Sequence, residues 1–495
     1  MNLLEQVSLV KRIRHTMQIT RTVFSVIAPA LFLVMLAMPI AAQTASQGGT
    51  MKLPPFHKTK LPNGLTVLLM EKHNVPLVSF HMIVKTGSTA DPNGAEGTAS
   101  VTAALLRHGT QSRSGEQYAA DLDFIGGNFN ANASTDYTTI SAEFMKKDIA
   151  KGLDLLSDPV IHPTFPAAEF TKLIAQRKDG IRGAKDQAAG VLPTYFNAYL
   201  FVGSPYARPT GGDEQSLAHI SRETVATFYQ TYYKPGNAVL AVVGDFDSNE
   251  MEKMLAVQFA GWTGGSVPAV RVNDPTPVTG KRLLLVDKPD STQTYFRIGN
   301  DGISRTNPDR IYVNVVNTLF GGRFTSMINS ALRIQSGLTY GASSVFEQRK
   351  APGPFYISTY TKNPTTEQAM DMALDVLKQL HEKGISAEQL ASAKSYLKGQ
   401  YPLRIETSDQ LASQLADLEF YGLDAHDIDD FYPKLDAMTL ADAQRVIKTY
   451  YPLDNLVFVV IGKASEIGPV VKKYAPQTDT RSISDPGFWS ASGSH

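Results

Sequence analysis

The chain contains no cysteine. That excludes disulfides, thiolate metal sites, cysteine nucleophiles and lipid attachment through a cysteine. A charge excess of either sign is also missing, since Lys+Arg and Asp+Glu both number 47. Nucleic-acid binders usually carry a basic surplus, and this chain has none. No two of the 10 histidines stand four apart, and no His-x-His occurs. No helix therefore offers two imidazoles on one face to a metal. A G-x-S-x-G elbow is absent, and no P-loop lysine follows the Gly321-Gly322 pair, so serine-hydrolase and phosphate-cradling readings lapse.

Long apolar runs are scarce too: there is one, from Val23 to Ile40. The basic stretch "KRIRHTMQITR" precedes it and the small residues "AAQTASQGG" follow. Basic region, apolar core and small-residue exit predict a secretory signal over 1–42, cleaved after Ala42. A retained anchor is the alternative, and Met17 is a second possible start. Cleavage would deliver the protein to the periplasm or beyond.

What the chain does have is repetition. "ISRETVATFYQTYYKPGNAVLAVVGDF" from Ile220 and "MTLADAQRVIKTYYPLDNLVFVVIGKA" from Met438 share an offset of 218 residues, with Tyr232 on Tyr450 and Gly244 on Gly462. Each copy reads as a cap (Ser221, Thr439), a helix ending in Tyr-Tyr, a turn, and a strand with alternating apolar residues. "FPAAEFTKLIAQRKDGIRGA" and "ISAEQLASAKSYLKGQYPLR" add a long amphipathic helix to each half. "LPNGLTVLLMEKHNVPLVSFHMIVKTGS" and "GKRLLLVDKPDSTQTYFRIGNDG" each read as two strands around a turn. These echoes imply duplication: domains at 43–262 and 281–475, a Pro/Gly/Val-rich linker at 263–280, and a mobile tail at 476–495.

Several stretches in order, "GGNFNANASTDYTTISAEF", "LDLLSDPVIHPTFPAAEF", "SPYARPTGGDEQSLAHIS" and "LFGGRFTSMINSALRIQSGLTYGASS", make the chain resemble the pitrilysin/insulinase-type (M16) zinc peptidases. The resemblance implies an α+β, LuxS/metallopeptidase-like fold. Each of two homologous halves would be a mainly antiparallel sheet with helices packed on one face, in a clamshell arrangement around peptides. Active members carry H-x-x-E-H on a helix, two histidines binding zinc and the glutamate acting as base, with a distal glutamate as third ligand. Laid on "GTASVTAALLRHGT", those positions fall on Ser100, Ala103 and Ala104, and the distal one near Gly180. The resemblance thus implies a degenerate zinc motif and no metal in this chain. His108, one turn on, is the nearest replacement and reads more simply as a helix-end histidine.

The second half keeps other parts of the pattern. Arg333 and Tyr340 in "ALRIQSGLTYGAS" match an Arg and a Tyr that, in the family, hold the substrate backbone and stabilise the oxyanion. A guanidinium fork and a phenol suit developing negative charge. "GGNFNANAS" implies an edge strand in which Gly127, Asn130 and Ala131 bind an extended peptide. The implied role is a non-zinc subunit whose H-x-x-E-H paralogue supplies zinc in a heterodimer. A non-catalytic peptide-binding scaffold is the alternative. A peptidase with an unrecognised metal site is a third reading.

Overall fold

A computed structural model of the chain describes residues 52–489. The signal-like segment 1–42 and the tail residues 490–495 lie outside the described residues. From Lys52 onward the chain forms one compact unit.

Among the described residues, twelve strands make two six-stranded sheets. The first contains β1 (His57–Lys60), β2 (Thr66–Glu71), β3 (Leu77–Val84), β4 (Asn128–Ala133), β5 (Thr138–Met145) and β6 (Ala238–Gly244), in the order β1-β2-β6-β3-β5-β4. The second contains β7 (Lys281–Asp287), β8 (Gln293–Asp301), β9 (Ala342–Phe346), β10 (Pro354–Lys362), β11 (Leu456–Gly462) and β12 (Gln477–Ser482), in the order β12-β7-β11-β8-β10-β9. Five strands of each sheet correspond, and β6 and β11 keep the 218-residue offset at both ends. Each is parallel to one neighbour (β2, β7) and antiparallel to the other (β3, β8). The paired runs at the start of each half do flank a turn, but β6 and β11 insert between their two strands.

The sixth strands break the symmetry. β1 precedes the first sheet and pairs antiparallel with β2, whereas β12 follows the second and pairs parallel with β7. The segment expected to be a mobile tail from 476 is therefore a sheet strand. Beyond it Phe488 and Trp489 pack edge-on against Tyr195 and Tyr199.

Seven helices frame the candidate site and the contact between the halves: α1 (Thr98–Leu105), α2 (Ala167–Lys185), α3 (Ala188–Leu200), α4 (Arg222–Tyr232), α5 (Ala387–Gln400), α6 (Ser408–Tyr421) and α7 (Leu440–Tyr450). Ser221 and Thr439 are the expected caps: each side chain accepts the N–H three residues on, from Thr224 and Asp442. Both long amphipathic runs are helices as well (α2 and α5).

Each half's own helices cover one face of its sheet. In the first, Val67, Leu69, Leu240 and Val242 pack with Leu156, Val225 and Phe228. The other face receives a helix from the opposite half. Leu411, Leu415 and Leu418 of α6 lie on Leu68, Met70, Val239, Ala241 and Val243 of the first sheet. Reciprocally, Val191, Leu192, Phe196 and Tyr199 of α3 lie on Leu284, Val286, Val457, Val459 and Ile461 of the second. Full burial of each such side chain is worth about 1.5–3 kcal/mol, so this exchange clasps the halves together. It also corrects one reading of the sequence: β6 and β11 are buried along their whole length rather than on alternate residues, because both faces are covered. The 263–280 segment has no regular element, and its Val278 is tucked into the core around α3.

Candidate functional site

Helix α1 is held firmly at its start. Gly97 takes φ +99°, and a Cβ there would lie 2.9 Å from the Gly211 carbonyl oxygen, so the chain enters the helix through a bend only glycine fits. The buried Asp91 carboxylate then accepts the N–H groups of Gly97 and Ala99, both at 2.7 Å. Burial outweighs those two donors and pushes the Asp91 carboxyl up to about 7.

On this helix Ala103 is buried and Ala104 half-buried; both are methyl groups with no lone pair to offer a metal. Ser100 is occupied by a different partner. Arg177 of α2 donates from Nη1 to Ser100 Oγ (2.9 Å) and from Nη2 to the Ser100 carbonyl (3.1 Å). The α2 residue that reaches α1 is thus Arg177. Gly180, one turn later, is exposed, with no atom within 4 Å of where its Cβ would sit.

A guanidinium beside two alanines does not fit zinc: it supplies positive charge where a cation needs lone pairs. Among the described residues, no group of three or more His, Asp and Glu is arranged to hold a metal. His108 Nδ1 lies 2.8 Å from the Glu169 carboxylate of α2, a helix-end hydrogen bond. Sequence reasoning overlooked Arg177. Its signal was the spacing: it lies three residues before Gly180, on the same helix face.

The expected edge strand is β4, with β5 on one side and no strand on the other. Asn128, Asn130 and Asn132 are exposed along it, while Ala131 packs against the core. Gly127 has a packing reason, since a Cβ there would come 2.7 Å from the Phe144 ring. The corresponding edge of the second sheet is closed. Asn329 Oδ1 accepts the Ala342 N–H (3.1 Å), and Asn317 Nδ2 donates to the Ser344 carbonyl (3.0 Å).

Arg333 and Tyr340 leave the two stems of one loop, closed where the Leu332 carbonyl accepts the N–H groups of Leu338 (2.9 Å) and Thr339 (3.3 Å). Both side chains are exposed, Tyr340 by 78%. Arg333 lies over the ring of Phe324, 4.7 Å from its centroid, and Phe324 and Ile334 are themselves exposed. A cleft of about 980 Å³ lies in the second half between Leu319–Ser336 and the helix Thr366–Lys383. Neither residue lines it.

Known proteins share this architecture. Residues 66–214 match the family described as "Insulinase (Peptidase family M16)", and residues 219–397 match "Peptidase M16 inactive domain". An uncharacterized zinc protease of Rickettsia bellii is 25% identical over 344 residues, covering 69% of this chain and 82% of the relative. One from Bacillus subtilis is 24% identical over 399 residues, covering 80% and 96%. The crystal structure of a peptidase M16 inactive domain from Pseudomonas fluorescens superposes with a TM-score of 0.78 at 26% identity, covering 82% of this chain and 98% of that one. A protease from Helicobacter pylori, at 20% identity and TM-score 0.77 over 83% of this chain and 100% of that one, shares the fold.

Proposed function

This chain belongs to the insulinase-type (M16) peptidase family, and we propose that within it the chain is the non-zinc subunit of a two-chain peptidase. The observation that carries the reading is a contrast between the halves. In the first, Arg177 bonds Ser100, where the family pattern would put a zinc ligand, while Arg333 and Tyr340 of the second are exposed.

The proposed partner is a paralogue bearing H-x-x-E-H, with zinc bound in that partner. Arg333 and Tyr340 would hold the peptide backbone and face the oxyanion formed at the partner's metal. Exposed Phe324 and Ile334 beside Arg333 support a second chain covering this surface, since aromatic and Arg side chains are where interfaces concentrate their energy. The exchanged helices support it too. With both faces of each sheet covered, an extended peptide is left a sheet edge rather than a sheet face. The open β4 edge would take an extended peptide as an added strand. The basic-then-apolar N-terminus supports assembly in the periplasm or outside the cell.

The test is co-purification with an H-x-x-E-H paralogue and a peptide-cleavage assay. The expected result is that the pair cleaves and the separate chains do not. Arg333→Ala or Tyr340→Phe then lowers the rate by about 10²–10³. A mixture no faster than the paralogue alone sinks the reading. Peptide binding without cleavage under any pairing would favour the scaffold, which the open β4 edge also suits.

A further inference from the structure

A cation is held where a metal-binding motif has been lost, and its charge is unmatched. Arg177 spends one hydrogen of each terminal nitrogen on Ser100. Nε is buried with no partner, and no carboxylate among the described residues lies within ion-pair distance of the guanidinium. The neighbouring acids of α2 are committed elsewhere, Glu169 to His108 and Asp179 to Arg182. Burial alone draws the Arg177 pKa down, yet a guanidinium stays protonated in a protein. A half-buried positive charge without a counter-ion is costly, and a chain with no use for it would be better served by an apolar residue.

We propose that the Arg177 guanidinium, anchored on Ser100, is a binding site for a peptide carboxylate. This deepens the peptide-handling role above and rests on it. Ser100 Oγ and its carbonyl take the two parallel hydrogens at the end of the fork and fix its plane. One hydrogen is left on each of Nη1 and Nη2, on opposite edges, and a carboxylate oxygen can accept one of them in a charge-assisted bond. The anchoring helix α1 packs against both α2 and the open edge strand β4, so the cation sits beside the place where an extended chain can dock. The carboxylate can be the C-terminus of the peptide or an acidic side chain within it; the chemistry at Arg177 is the same.

Three fluorescent peptides of one neutral sequence separate the cases: a free C-terminal acid, its C-terminal amide, and that amide with one internal Glu. Their binding is measured by anisotropy against the full chain, its Arg177→Gln and its Arg177→Lys variants, with melting temperatures alongside. At least one carboxylate-bearing peptide should bind the wild type about tenfold more tightly than the neutral amide. That advantage should vanish in Arg177→Gln. Which peptide carries it identifies the terminal or the side-chain carboxylate. Equal binding of all three, or an advantage that survives in Arg177→Gln, overturns the site while leaving peptide binding intact. No binding of any peptide overturns both. Should Arg177→Gln not fold, Arg177→Lys decides, because it keeps the charge but loses the fork. An undiminished advantage there overturns the site.

Discussion

The hydroxyl of Tyr206 donates to the carboxylate of Asp136, with Oδ1 and Oδ2 at 2.9 and 3.1 Å. Both residues belong to the first half, and both also reach the second: the Ala351 N–H donates to Tyr206 Oη (3.0 Å) and the Lys350 N–H to Asp136 Oδ2 (2.9 Å). One buried phenol thus orders a four-group network across the boundary. Tyr206→Phe keeps the ring but leaves a carboxylate and an amide short of a partner inside the protein. A loss of about 1–3 kcal/mol is expected, read as a lowered urea midpoint at unchanged slope.

Asp91 gives stability a pH dependence of definite sign. Its carboxyl is raised by burial to about 7, so the folded protein still binds a proton that the unfolded chain, with an ordinary carboxyl, has released. Where the folded state holds more protons, stability falls as pH rises. The window runs from the ordinary carboxylate range, near pH 4, up to about 7, and the slope reaches at most about 1.4 kcal/mol per pH unit. The neighbouring charges are Glu96, which adds to the rise, and Arg208, which opposes it. Asp91→Asn cannot titrate. The stability difference between wild type and this variant should therefore move against the wild type from pH 4.5 to pH 7.5. A constant difference over that range would remove Asp91 as the cause.

The clasp between the halves makes a third prediction. Leu415 of α6 is 1% exposed against the first sheet. Leu415→Ala should cost about 2–5 kcal/mol. Leu440, 42% exposed at the start of α7, is the control, and Leu440→Ala should stay within about 0.5 kcal/mol. By the same reasoning, residues 52–262 expressed alone bare the Leu68, Met70 and Val243 face of the sheet and should be insoluble or self-associated.

That clasp was half-visible in the sequence. The uninterrupted apolar runs of β6 and β11 demand cover on two faces, which the duplication alone does not supply. Nothing local says which helix provides it. Leu411, Leu415 and Leu418 announce a buried stripe on α6, and pairing that stripe with β2 and β6 is a long-range fact. Caps and turns were readable because their chemistry is local: Ser221 and Thr439 satisfy amides three residues away. The 218-residue repeat carried β6 and β11, and the paired starts of the halves carried β2, β3, β7 and β8; β1 and β12 enter from opposite ends of the chain and share no motif. At the site, the motif frame put Ser100, Ala103 and Ala104 on one helix, and they lie on α1. Arg177, three residues before Gly180, was passed over, because a frame built from metal ligands does not look for a cation.

The two sheet edges differ in a way that can be measured amide by amide. β4 and β9 occupy equivalent positions, and an unpaired edge invites another strand. In β9 the Ala342 N–H is taken by Asn329 Oδ1, and the same asparagine donates from Nδ2 to the Phe324 carbonyl at 2.6 Å. Asn329 is 4% exposed, so water does not compete for either bond. Asn329→Ala should therefore do two things in hydrogen exchange. The Ala342 amide should exchange faster, by about five- to thirteenfold if one bond worth about 1–1.5 kcal/mol is lost, while the β9 amides that face β10 keep their protection. The free edge should also make the variant self-associate with rising concentration, which sedimentation would detect. Unchanged exchange at Ala342 would mean that the edge is sealed by something other than this side chain, and the asymmetry between β4 and β9 would lose its physical basis.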